Sequence, residues 1–509
     1  MRSHSSQRPF RALTTAIAAV AIVVGVAGCA PQSDEADDRS ISIGVSGSLY
    51  VNWNPFDYGH GGSETAQAVY DRLFVLDPAT DWYTPWLAKE FELSEDGLTL
   101  SLVLRDDVDF VDGTHMDAEG VADYFNAVLN DDKYIAGYET DRYGLVFTAT
   151  GEYSIEVTAQ LPIRPTARQA LLAELSTIPV ISPEAAKNPS VLADGPVGSG
   201  PYVIKTQSAD SITFERNPNY WNPDAYDFDE VKITAFEDRI AAFNALKAGQ
   251  IDVTQIDIGM AADAESSGFD LMTTRQAFEA IYIGDRDGSI VPALADVRVR
   301  QAMSMALDRE AINEAIHNGY GEVGTEPFTA DQLLYDEEDE GRDAFDLEKA
   351  RDLMAEAGYP DGFDLTIPVW SFQGVDDYGP AVQQSFSEIG ITVTYEIVED
   401  VFGSVADGTY AVAMGSFGYT WAWTTLPRLM GGFKDDHVDE LIETFDTTLS
   451  NEEYESALDE LGEIYVDELW FVIVAQPYEI FATNDRVEVA KLDVSPMDPP
   501  ALRNYTAED

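Results

Sequence analysis

The chain has 509 residues, and its 92 acidic against 30 basic side chains leave a net charge of -62. That balance excludes a nucleic-acid binder, which needs a basic footprint, and electrostatic docking on anionic lipid. The length suits two or more domains with cores of their own, a hydrophobic fraction of 45% fits a globular protein, and a single cysteine leaves no internal disulfide and no Cys-ligated metal.

Taken in order, Arg2, Arg8 and Arg11 form a basic start, and Ala12 to Val26 is an uncharged run. Its apolar core is short of the ~20 residues that a transmembrane helix needs. It ends in Val26-Ala27-Gly28-Cys29, a lipobox-like sequence that predicts a cleaved signal over 1–29 and a diacylglycerol on Cys29. The competing reading is an ordinary signal peptide that happens to hold a cysteine. Residues 30–39 are polar and acidic, cannot bury a core, and predict a flexible tether. The chain is thus expected to be exported and held by lipid at the outer face of the cytoplasmic membrane. Its acidity reads as a solvated surface suited to salt or solubility, or as a means of concentrating cationic ligands.

Beyond the tether, Ile41, Ile43 and Val45 alternate with small residues and predict a strand. Phe91 to Leu93, the turn Ser94-Glu95-Asp96-Gly97 and Leu98 to Leu104 predict a hairpin with Leu98, Leu100, Leu102 and Leu104 on one face. Asp117 is placed to cap a helix carrying Val121, Phe125 and Val128. From Asp296 onward helix and strand patterns alternate. Asp346 caps a helix that Gly358 ends, Asp361-Gly362 turns into the strand Phe363 to Pro368, and Gly390 closes a further helix before Ile391 to Ile397. Such alternation predicts an α/β lobe with a mixed, helix-covered sheet, and two lobes would leave a cleft for a small ligand.

Several motifs carry no chemistry. His60, His115, His317 and His437 lack metal-ligand spacing, and neither a G-x-S-x-G elbow nor a Walker A loop occurs. Gly319 to Gly324 matches G-x-G-x-x-G but follows a helical pattern instead of a strand, so a loop is expected there. Asp336 to Gly341 lacks the ligand spacing of a calcium loop and reads as a solvated acidic loop. No cofactor is expected.

Ordered segments then carry a resemblance. Asn54-Pro55, Val69-Tyr70-Asp71-Arg72-Leu73, Trp86 to Glu92, Leu104 to Thr114, Gly198-Ser199-Gly200-Pro201-Tyr202, Arg216 to Trp221, Ala245 to Asp252 and Asp296 to Ala302 resemble blocks of the family 5 solute-binding proteins of ABC importers, the peptide/nickel group. The resemblance implies a two-lobed α/β fold of the periplasmic-binding-protein type, with a hinge and an extra subdomain in the first lobe. It implies a first-lobe core of 40–77, 196–283 and 479–509, an extra subdomain of 78–195, and a second lobe of 284–478. Crossings are expected near Ala280 to Asp285 and near Phe471 to Phe481. A small solute and a permease–ATPase complex are the implied partners of a monomeric chain that is not an enzyme. Arg216, Tyr220, Trp221 and Arg300 are expected to be structural.

The family's cleft-lining segment corresponds to Gly415 to Pro427 here. Peptide binders commonly place an Asp for the α-amine where this chain has Ala422, while Thr420-Trp421 and Pro427 look somewhat like nickel-chelate binders. The candidate solute contacts are Tyr419, Trp421 and Trp423, with Trp53 and Trp370 weaker; each indole could equally pack a core. An oligopeptide is the expected solute, an oligosaccharide or metal chelate the alternative, and a secreted hydrolase a remote one.

Overall fold

The computed structural model describes residues 39–49, 53–54, 64–77, 82–131, 138–164, 168–275, 277–328, 341–370, 375–418, 436–448, 450–489 and 501–507. Cys29, the predicted signal and most of the tether lie outside the described residues.

Short-range sequence signals become structure where a turn or cap demands them. Strands Ala88–Leu93 and Thr99–Leu104 pair across the expected turn, where Gly97 takes φ +68°. Leu100, Leu102 and Leu104 point into the core, but Leu98 belongs to the turn and is 37% exposed. Asp117 accepts from the Gly120 amide at 2.7 Å and starts the helix Ala118–Leu129. Asp346 does the same for Leu347–Glu356 through Lys349 N, and Gly358 leaves that helix at φ +90°. Asp364–Val369 and Thr392–Ile397 pair in parallel.

Among the described residues ten strands form the main sheet. Ser40–Ser46 lies parallel to Glu230–Phe236 on one side and to Val253–Ile256 on the other. The antiparallel strands Ser211–Arg216 and Tyr202–Gln207 extend it. Four further strands, Ala88–Leu93, Thr99–Leu104, Ser154–Thr158 and Val146–Ala149, make an antiparallel sheet in the extra subdomain. Its inward residues join the first-lobe core: Leu102, Phe125, Ile155, Ile233 and Phe214 belong to one apolar cluster. Each such side chain taken out of water stabilises by about 1.5–3 kcal/mol before ordering costs.

Several separate sequence blocks meet at Asp71. Its carboxylate accepts from Trp86 Nε1 at 2.9 Å, Tyr220 OH at 2.8 Å, Ser199 Oγ at 3.1 Å and Trp221 Nε1 at 3.2 Å. Burial pushes this carboxyl above its usual range, against the pull of the four donors. The Gly198–Gly200 stretch passes so near Val69 that a Cβ on Gly200 would run into the Val69 peptide. Arg216 is structural as expected: it donates to Asp229 and to the carbonyls of Pro223, Tyr226 and Phe228. Arg300, 1% exposed, likewise holds Leu294 O, Glu468 O and the Glu468 carboxylate.

Two strands carry the chain between lobes. Phe471–Thr483 pairs at one end with Ala277–Ile283 and at the other with Asp270–Arg275 and Val253–Ile256. Asp270–Arg275 and Ala277–Ile283 therefore both run antiparallel along it, and this pairing is the crossing ribbon. The expected boundary at 283/284 lies at the end of the strand Ala277–Ile283. Ala277–Ile283 already pairs with Val412–Gly418, and its side chains pack among second-lobe residues such as Met303, Ile367 and Leu461. The first-lobe pairing ends at Arg275 opposite Tyr478, and the second-lobe pairing begins at Ala277 opposite Gly418.

Candidate functional site

The crossing ribbon is where both lobes contribute side chains. Register fixes the neighbours. Gly418 ends its strand opposite Ala277, the first paired residue past the crossing. On the other edge, Gly321–Glu322 adds two residues to Pro477 and Gln476. The G-x-G-x-x-G stretch thus becomes a strap at the crossing and not a phosphate loop. Gly319 has φ +85°, and a Cβ on Gly321 would meet the Gln476 carbonyl and the Asn313 side chain. Tyr320 of the strap packs on the first-lobe cluster around Phe243 and Ile256.

Polar groups tie the strap down. Arg275 of the first lobe pairs with Glu322 at 3.1 Å, Tyr478 OH donates to the same carboxylate at 3.2 Å, and Gln476 Nε2 donates to Glu326 O at 2.8 Å. Gln255 Nε2 donates to Glu479 at 2.9 Å, and burial raises the Glu479 carboxyl. A cavity of about 620 Å³ opens here, lined by Arg275 from the first lobe, Gln476 from the crossing strand and Leu307, Arg309, Phe328 and Phe345 from the second. Arg309 is committed to the scaffold, donating to Ile473 O at 2.9 Å, Ser304 O at 3.1 Å and Ser304 Oγ at 2.8 Å. Its burial lowers the guanidinium pKa to about 10.

A second contact joins the lobes through the extra subdomain. The Arg164 guanidinium carbon lies 5.0 Å from the centroid of the Tyr454 ring on the second-lobe helix Asn451–Asp467.

Of the sequence-predicted contacts, Tyr419, Trp421 and Trp423 lie outside the described residues, as does Ala422. Trp53 is 4% exposed in the first-lobe core, and its carbonyl accepts from Tyr70 OH at 2.6 Å. In this conformation it offers no open ring face. Trp370 is half-buried beside the second-lobe core, edge-on to Phe402 with centroids 4.7 Å apart. Arg275, Glu322, Gln476 and Arg164 were missed, since nothing local in their sequence marks a residue that meets a partner 47 to 290 positions away.

Among the described residues no three His, Cys, Asp or Glu side chains group to hold a metal, and no helix is long and apolar enough to cross a membrane. His317 sits inside, between Tyr378 OH at 2.7 Å and Asn313 at 3.1 Å, while His437 pairs with Glu460 on the surface.

Known proteins give the same picture. Residues 83–434 match the family described as bacterial extracellular solute-binding proteins, family 5 Middle. The glutathione-binding protein GsiB of Salmonella paratyphi A is 26% identical over 356 residues, covering 68% of this chain and 67% of that one. Di/tripeptide-binding protein 1 of Pseudomonas aeruginosa is 27% identical over 384 residues, covering 68% and 70%. The ABC transporter-associated periplasmic binding protein DppA from Helicobacter pylori, solved with the peptide STSA, superposes with a TM-score of 0.69 at 21% identity, covering 92% of this chain and 98% of that one. The first two are named for what they bind, the third as a periplasmic binding protein associated with an ABC transporter, and the two-lobed fold is shared. With its crossing ribbon, its two lobes and a family match over residues 83–434, this chain belongs to the family 5 extracellular solute-binding proteins.

Proposed function

We propose that this chain is a lipid-anchored, monomeric receptor that captures an oligopeptide in the cleft between its lobes and passes it to the permease of an ABC importer. The observation that carries the reading is the register of Gly418 against Ala277. The described chain reaches Gly418 beside the crossing ribbon, and Tyr419, Trp421 and Trp423 follow it in the sequence. A solute enclosed by both lobes would meet that segment near the crossing. Closure over it would exchange hydrated surface for contacts with both lobes, so the solute would favour the closed form by its differential affinity for it.

The solute is held by stacking on that segment more than by a carboxylate gripping its amine. Ala422 stands where an anchoring Asp would be expected. A buried ammonium without a counter-charge loses hydration with nothing in return, whereas indoles cover apolar or CH-rich surface at small entropic cost. Cys29 carries the lipid, and the acidic tether lets the body reach the permease from the outer face of the membrane.

Mass spectrometry of what denaturation releases from protein purified without added solute tests the reading. A peptide, bound again by the refolded protein whether its amine is free or acetylated, supports it. A released sugar or metal chelate, or a peptide whose binding acetylation abolishes, overturns the solute assignment or the stacking mode respectively.

A further inference from the structure

We infer that Arg164 and Tyr454 form a clasp between the lobes, one that sets the balance of closed and open forms without touching the solute. This rests on the reading that the lobes open and close.

Both partners are held in place by their own lobe. Arg164 follows Ile163, whose amide donates to Gly97 O at 2.6 Å, and Ala159 N donates to Leu98 O at 3.0 Å. The Asp-Gly turn of the subdomain hairpin therefore delivers the arginine. Tyr454 lies in the first turns of a helix capped by Ser450, and packs in the same second-lobe core as Leu458, Leu461 and Tyr465.

Burial shows which role the arginine has. Arg164 is 1% exposed and Tyr454 7% exposed. A guanidinium so covered has no surface to offer a solute, so its ring contact is protein on protein. Its position also separates it from the strap. The contacts of Glu322 with Arg275 and Tyr478 sit on the ribbon itself, about which the lobes would turn, and can persist through rotation. The Arg164–Tyr454 contact joins the extra subdomain, whose sheet is separate from the ribbon's, to a second-lobe helix. Rotation about the ribbon pulls it apart.

The strength follows from a compensation. An open form rehydrates the guanidinium, so only the surplus of the ring contact over hydration favours closure. For a desolvated cation over an aromatic face that surplus corresponds to about a three- to thirty-fold change in the closed-to-open ratio. Because the clasp forms after a solute has entered, its loss would raise the off-rate and leave the on-rate nearly unchanged.

The test needs no knowledge of the solute. Spin labels on Glu156→Cys and Glu455→Cys, both exposed positions, in a full-length Cys29→Ser chain report the distance between subdomain and second lobe by pulsed electron resonance. The closed-to-open ratio should fall about three- to thirty-fold in Arg164→Ala and equally in Tyr454→Leu, with no further fall in the double variant. Tyr454→Phe keeps the ring and should stay within about twofold of the parent. If either large substitution leaves a well-folded protein with the parental ratio, or if the two effects simply add, the clasp is refuted. If parent and variants alike show one fixed distance, with or without the material released from purified protein, the opening itself is refuted, and the clasp with it.

Discussion

Replacing Asp71 with Asn probes the knot that holds the first lobe together. The two side chains have nearly the same shape, so no cavity opens. Asp71 Oδ1 accepts from Trp86 and Tyr220, and Oδ2 from Ser199 and Trp221. An amide presents one oxygen and one NH2. Whichever way it flips, two buried donors face another donor. Each such loss costs ~1–3 kcal/mol, and relief of the buried charge returns part of it, which leaves about 2–4 kcal/mol. Tyr220→Phe removes one donor and leaves the carboxylate three, so it should cost only about 1 kcal/mol. Guanidinium unfolding followed by tryptophan fluorescence suits the question, because Trp86 and Trp221 are themselves members of the knot. If Asp71→Asn unfolds at the parental midpoint, or Tyr220→Phe costs more than Asp71→Asn, the carboxylate is not what organises the four donors.

Other perturbations reach other parts of the account. Cys29→Ser should release the protein from membranes into the medium; fractionation that finds it still membrane-bound would remove the lipid anchor. The net charge of -62 should make the protein self-repelling at low salt. Its melting temperature should then rise between 0.01 and 0.15 M NaCl, as the Debye length falls from ~30 to ~8 Å, and a flat curve would mean that the carboxylates are locally compensated. Trp421→Ala or Trp423→Ala should weaken binding of the recovered solute by ~2–4 kcal/mol in calorimetry, and unchanged affinity in both would move the site elsewhere.

What could be read from the sequence was local. Asp117 and Asp346 cap their helices, and Gly97 and Gly358 take positive φ, because a cap or turn depends on three or four adjacent residues. The Asp71 knot could not be read, since its partners Ser199, Tyr220 and Trp221 lie 128 to 150 positions away. The resemblance did bring those blocks together as scaffold, without saying that they meet on one carboxylate. The place of Ala277–Ile283 could not be read, because it depends on pairing with Val412–Gly418, more than 120 positions on, and on the burial of its side chains, Glu279 among them. Trp53 shows the limit of composition: an indole suited to stacking can equally fill a core, and here it does. The Gly319 to Gly324 stretch follows a helix as its pattern suggests, but its part in joining the lobes depends on Gln476, more than 150 positions on.

Capture by closure is tested most directly by small-angle X-ray scattering of the protein stripped by unfolding and refolding, before and after saturation with the solute it released. The account predicts a smaller radius of gyration in the loaded state, as the lobes rotate together about the crossing ribbon. An identical profile at saturation, with binding confirmed in the same sample, would contradict it.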